Sequence, residues 1–267
     1  MNKKFLTFIL FSLIVVFNNL NLSAGGVITI EETRKNTSIL NNIYIEKHLI
    51  RIESQIGEEI HISIFNAEKE ILYNIDMKNK SYVMITKDDL EKIGSKMHAV
   101  NKILEDKLKD LPKEQREMMN KMMQRNISKQ PEMNKEITYS LVYENVKALN
   151  WNCDKYTVKE NEELIRDVWV TDWSNSGLKD EYKNVLKSME KFFNYFTDQF
   201  GNNVQSHSIS LDFTLADKGI PVKTIYYSNG KENGMSIVKK IKEIELPYSL
   251  FMVPTEFKKT DPFSQLN

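Results

Sequence analysis

The sequence predicts an α+β domain, an antiparallel sheet carrying amphipathic helices, and three observations predict it. Between Val27 and Met84 apolar and polar residues alternate in short runs, as strands with two unlike faces require. After Thr86, and again between Glu181 and Phe200, the apolar spacing changes to that of a helix. Alternation then returns from Ser206 to Leu246.

In the first stretch the strand candidates are Ile43-Tyr44-Ile45, Leu49-Ile50-Arg51-Ile52, Ile60 to Phe65 and Ile71 to Ile75. Turn formers stand between them at Asn41-Asn42, Asn66-Ala67 and Lys78-Asn79. A meander with one solvated face is expected. Residues 87–128 read as a helical hairpin. Leu90, Ile93, Met97, Val100, Ile103, Leu104 and Leu108 form one stripe, Pro112 opens the second arm, and Met118, Met119, Met122 and Met123 cluster on it. Strands are expected again at Ile137 to Tyr143, Cys153 to Val158 and Val168 to Thr171. A helix follows from Glu181 to Phe200, with Val185, Met189, Phe192, Phe193, Phe196 and Phe200 on a wide apolar face. Ser206 to Thr214 alternates cleanly, and Asn229-Gly230 predicts a type I′ hairpin between Thr224–Tyr227 and Met235–Leu246, with Asn233-Gly234 as the alternative turn. The tail from Pro254 is expected to be irregular.

The first 24 residues have the layout of a secretory signal peptide: Lys3 and Lys4, an apolar run from Phe5 to Phe17, then Leu22-Ser23-Ala24 before Gly25. The apolar run is shorter than the roughly 20 residues of a bilayer-spanning helix, which favours cleavage over anchoring. Leu22 is bulky for its place, so the cut can shift by a residue or two. Residues 25–267 then form a single domain, because no Gly/Ser-rich or Pro-rich linker divides them. Without Lys3 and Lys4 the chain has 35 basic and 37 acidic side chains, a net charge of −2. No nucleic-acid partner is expected from that balance. With Cys153 the only cysteine, no internal disulfide can form and no cysteine follows the leader for lipid attachment. The reading is an exported protein, periplasmic or secreted, with no stable membrane span after cleavage.

Several separated segments carry a family resemblance. They are Leu49-Ile50-Arg51-Ile52-Glu53, Met77 to Tyr82, Leu111 to Arg116, Asn152 to Tyr156 with Val168 to Thr171, Lys218 to Val222, and Ser249 to Pro254. In order and spacing the chain resembles a family of secreted bacterial proteins of unknown function related to the periplasmic lipoprotein carrier LolA. The resemblance implies a strongly curved antiparallel sheet, a half-barrel, with helices across its concave face. It assigns no functional residues. Where that family has glycine before the cysteine, this chain has Trp151-Asn152.

If helices cover a hollow sheet, the space between can hold acyl chains, each buried methylene contributing roughly 0.8 kcal/mol. The candidate lining is Met118, Met122, Met189, Phe192, Phe193 and Phe196. The same faces can equally pack onto the sheet as a solid core, and periodicity does not choose between the two. Clustered thioethers also suit Cu(I), but their helical spacing is explained by packing. Cys153 has no histidine near it in sequence and reads as a small core residue. His48, His61, His98 and His207 lack a zinc-ligand rhythm, and no phosphate loop or nucleophile elbow is present. No catalytic residue, metal or cofactor is expected. The expected function is non-enzymatic: an envelope protein binding a lipid, lipoprotein or other apolar ligand. The alternative is a structural protein with a filled core and an envelope protein as partner.

Overall fold

The computed structural model describes residues 22–34, 37–92, 94, 95, 108, 112, 115, 136–200 and 213–261, without the side chains of 22, 23, 196–200 and 213. Among them the strands form one open sheet of 12, ordered β12-β6-β5-β4-β3-β2-β1-β11-β10-β9-β8-β7. Two meanders build it. The first runs through β1 (Leu22–Arg34), β2 (Thr37–Glu46), β3 (Leu49–Ile56), β4 (Glu59–Asn66), β5 (Ile71–Asp76) and β6 (Ser81–Thr86). The second runs through β7 (Ile137–Ala148), β8 (Trp151–Glu160), β9 (Glu163–Thr171), β10 (Ile220–Ser228) and β11 (Lys231–Pro247). They join where β1 pairs antiparallel with β11, from Leu22↔Pro247 to Arg34↔Gly234. β12 (Lys258–Thr260) then pairs parallel with β6 at the far edge, making the sheet mixed.

The protein is therefore largely β, and this corrects the expected α+β class with its purely antiparallel half-barrel and layer of helices. The strands outrun the apolar runs that announced them. β7 continues past Tyr143 to Ala148 and β9 starts at Glu163, five residues before the expected Val168, while β11 matches the expected Met235–Leu246 closely, its Lys239 reaching Glu31 of β1 at 2.6 Å. Asn41-Asn42 is not a turn but lies inside β2. Ser54 donates to Asn41 Oδ1 at 2.6 Å, and Thr29 donates to Asn42 Oδ1 at 2.9 Å. Satisfied from neighbouring strands, these amides have no need to fold back on their own backbone. The tail is also more regular than expected, since it includes β12.

Other expectations hold. Hairpin turns follow β4 and β5 at residues 67–70 and 77–80. The turn between β10 and β11 has positive φ at Asn229 (52°) and Gly230 (71°), the two left-handed residues of a type I′ turn. Of the expected hairpin at 87–128, residues 87–92 are helical and Leu90 and Leu108 are buried. Apart from residues 94, 95, 112 and 115, the rest, His98, Met118 and Met122 included, lies outside the described residues. Of the strand expected over 206–214, residues 206–212 lie outside them too, and Phe213–Leu215 form a 3-10 turn.

A short helix α1 (Trp173–Ser176) and the longer α2 (Tyr182–Phe200) follow β9. Asp172 caps α1, accepting from the Ser174 N–H at 2.8 Å. Tyr182, Val185, Leu186, Met189 and Phe192 form the buried stripe of α2, packed with Ile28, Ile30, Ile43, Ile45, Ile50, Ile52, Phe65 and Leu72. The alternate residues of the same strands are not solvated as expected. Leu49, Ile62, Ile64 and Ile75 are covered by Leu246 of β11 and by Phe251 and Phe257 of the C-terminal segment, and Arg51 Nη1 donates to the Leu250 carbonyl at 3.0 Å. A third cluster gathers Tyr156, Val158, Val168 and Val170 under Leu215. Among the described residues, no helix is long and apolar enough to cross a membrane.

Candidate interaction edge

β7 ends the sheet, and among the described residues its only strand partner is β8. Its sequence, Ile-Thr-Tyr-Ser-Leu-Val-Tyr-Glu-Asn-Val-Lys-Ala, is rich in β-formers. Ile137, Tyr139, Leu141, Val142 and Tyr143 are nevertheless exposed, Tyr143 by 57%. Such an edge offers unpaired backbone groups beside apolar side chains, the features that recruit another strand.

Register puts chemically different rows on its two faces. Tyr139 stands opposite Val158 and Leu141 opposite Tyr156, so both extend the third apolar cluster outward to the edge. Bulges between Leu141 and Val146 then change the register, with Asn145 at φ 53° and its N–H bonded to Asp154 Oδ1 at 3.1 Å. Past the first bulge Tyr143 faces Lys155, Lys155 faces Trp169, and Trp169 faces Lys223. The Lys155 ammonium lies 4.9 Å from the Trp169 ring centre and 6.0 Å from that of Tyr143, and Lys223 lies 4.7 Å from Trp169. Aromatic and cationic residues thus alternate across four strands.

One carboxylate anchors this row. Asp167 is 8% exposed, and its carboxylate accepts from Thr157 at 2.7 Å and Tyr227 at 3.4 Å and pairs with Lys155 at 2.8 Å. The Tyr227 hydroxyl is pushed up, first by burial and then by this charge. With every oxygen of Asp167 engaged, the group orients Lys155 and is poorly placed to move protons.

The expected lining residues sit elsewhere. Met189 (1% exposed) and Phe192 (6%) are core residues between α2 and the sheet; the Phe192 ring lies 5.3 Å from Phe65 and 6.1 Å from the half-buried Phe193. These three come together, but against the sheet. Met118, Met122 and the side chain of Phe196 lie outside the described residues. Cys153 is buried, its S–H directed at the Trp151 carbonyl at 3.7 Å, and burial pushes its thiol up to about 11. His48 and His61 are exposed on separate hairpins, near Glu68 (3.3 Å) and Glu59 (3.8 Å). Among the described residues, no group of three or more His, Cys, Asp or Glu side chains could hold a metal ion.

A cleft of about 320 Å³ opens under the C-terminal segment, lined by Arg51, Ile62, Ile75, Met77, Leu250 and Met252 among others. Arg51 Nε pairs with Glu53 Oε1 at 2.7 Å, so its charge is already balanced there. Sequence reasoning missed both places. Tyr143, Lys155, Trp169 and Lys223 were visible as strand residues, but their alignment depends on a register that two bulges reset.

No family model and no curated protein matches the chain in sequence. Among solved structures, an uncharacterized conserved protein from Thermus thermophilus is similar with a TM-score of 0.45 and 10% identity, over 94% of this chain and 99% of that one. A structure of PNGF-II is similar with a TM-score of 0.38 and 11% identity, over 91% of this chain and 32% of that one. Likeness at this level bears on neither activity nor ligand.

Proposed function

We propose that this is a non-enzymatic protein of the cell envelope that binds an extended apolar segment of another envelope protein along β7. The observation that carries the reading is the exposed row Ile137, Tyr139 and Leu141 on one face of the last strand of the sheet, with Val142 and Tyr143 exposed beside it. A strand is the occupant that matches such an edge, because its backbone completes the ladder while alternate side chains cover the apolar row. The leader-like residues 1–24 and the segmental resemblance to LolA-related proteins support the envelope location. A small ligand between α2 and the sheet is disfavoured, since Met189 and Phe192 already fill the space they would line.

A photo-crosslinking residue at Leu141, in cells exporting the protein, tests this. The expected product is one protein adduct, mapped to an extended apolar segment and lost on Tyr139→Lys. Adducts only to lipid, or none, overturn it, and an adduct between two copies makes the partner a second chain.

A second reading rests on the cleft beside Arg51. Among the described residues, two of the five guanidinium donors are used, by Glu53 and Leu250, leaving others for the head of a single-chain amphiphile. An amphiphile in solvent extracts of the purified protein, lost on Met252→Glu, would favour it over the strand partner.

A further inference from the structure

Glu46 ends β2 as a buried carboxylate, 9% exposed, whose Oε2 has no hydrogen-bond partner among the described residues. β1 pairs with β2 through Val27↔Tyr44 and Gly26↔Ile45, where that register ends, and Gly25 and Glu46 are the next residues of the two strands. Gly25 is itself buried, and a Cβ there would lie 2.5 Å from Leu246 Cδ1 and 2.8 Å from the Ile45 carbonyl oxygen. Only glycine fits. Gly25 is also the residue that follows the Leu22-Ser23-Ala24 cleavage signal.

We propose that cleavage between Ala24 and Gly25 creates a buried ion pair between the new α-ammonium of Gly25 and the Glu46 carboxylate, so that export completes the fold. A leader-removing protease adds water across the Ala24–Gly25 peptide bond. The hydroxyl goes to the Ala24 carbonyl carbon and a hydrogen to the Gly25 nitrogen, which takes a further proton from solvent at neutral pH. A neutral amide thereby becomes a cation near a carboxylate oxygen that lacks a partner among the described residues. Neither charge is well placed alone, because an unpaired buried ion is strongly destabilising.

The surroundings are acidic. Glu243 faces Gly26 across β11 and is tied to Lys179 at 3.3 Å. The Tyr182 hydroxyl donates to the Ala24 carbonyl at 3.2 Å. It is pushed up to about 12 by burial first, with Glu243, Glu181 and Glu46 adding to the shift. Cleavage removes that carbonyl from the Tyr182 hydroxyl and sets the new amine beside this group.

The inference rests on the export reading but not on the β7 interface, and N-terminal sequencing of the exported protein tests that basis separately. A start at Gly25 is expected; a start elsewhere overturns the proposal. Chains beginning at Gly25 and at Ala24 are then melted, each with Glu46 and with Glu46→Gln. The Gly25 chain should melt at least about 5 °C above the Ala24 chain with Glu46 present, and the gap should close with Glu46→Gln. A gap of equal size in both backgrounds overturns the pair. If Glu46→Gln does not fold, Glu46→Asp and NMR titration of the ¹³C-dimethylated α-amine replace it. That amine should titrate above the usual α-amino range, with Glu46, Glu243, Glu181, Lys179 and Tyr182 as the groups around it, and a normal titration overturns the proposal.

Discussion

Phe192→Ala distinguishes a filled interior from a hollow one. The Phe192 side chain is 94% buried, stands against Phe65 at 5.3 Å and meets Phe193 edge-on. In a packed core its truncation costs about 3–5 kcal/mol, of which the aromatic pairing supplies about 0.5–1.5. Alanine is the better helix former and returns about 0.5 kcal/mol, leaving a net loss of about 2.5–4.5 kcal/mol. Urea unfolding followed by tryptophan fluorescence reads the loss as a lower midpoint at unchanged slope. A ring lining an open cavity would have few neighbours to lose. A loss under about 1 kcal/mol at unchanged slope would therefore refute the filled interface between α2 and the sheet.

Asp167→Ala should cost about 3 kcal/mol by leaving Lys155 unpaired in a nearly buried site, whereas Lys155→Met with Asp167→Leu together should cost much less; equal losses would contradict the pairing. The Cys153 thiol should resist aromatic disulfide reagents at pH 8 until the protein is unfolded, because burial raises it to about 11. The same shift makes stability pH-dependent. The unfolded thiol loses its proton near pH 9 and the folded one does not, so stability is full below about pH 9 and falls as pH climbs toward 11. Cys153→Ala should flatten part of that fall in urea midpoints measured at pH 8 and 10.5. Leu141→Lys, on an exposed strand position, should change stability by no more than about 0.5 kcal/mol while abolishing the crosslinked adduct at a neighbouring probe.

Much of the strand inventory was legible in the sequence, and its extent was not. The alternating runs of β2 to β5 and the Asn229-Gly230 turn are local signals, and they appear where local chemistry puts them. The wide apolar face of α2 was equally readable, as was the burial of Cys153. Periodicity names a buried face without naming what covers it, so Met189 and Phe192 fitted a cavity and a core equally well. The class was misjudged because charged residues such as Lys159, Glu160, Glu163 and Arg166 looked like strand ends, while pairing between β8 and β9 keeps them in the sheet. β12 has no alternation to announce it; its three residues are held by parallel pairing to β6. The Tyr143–Lys155–Trp169–Lys223 row comes from register alone, which single-strand patterns do not encode.

Amide hydrogen exchange along β7 tests the binding account most directly, with a synthetic peptide copying residues 137–148 as the strand probe. Those amides of Ile137 to Tyr143 that point away from β8 should exchange quickly in the free protein, slow at least about tenfold with saturating peptide, and stay fast when the protein has Leu141→Lys. Slow exchange in the free protein, or peptide binding that leaves these amides unchanged, would contradict an open edge made to receive a strand.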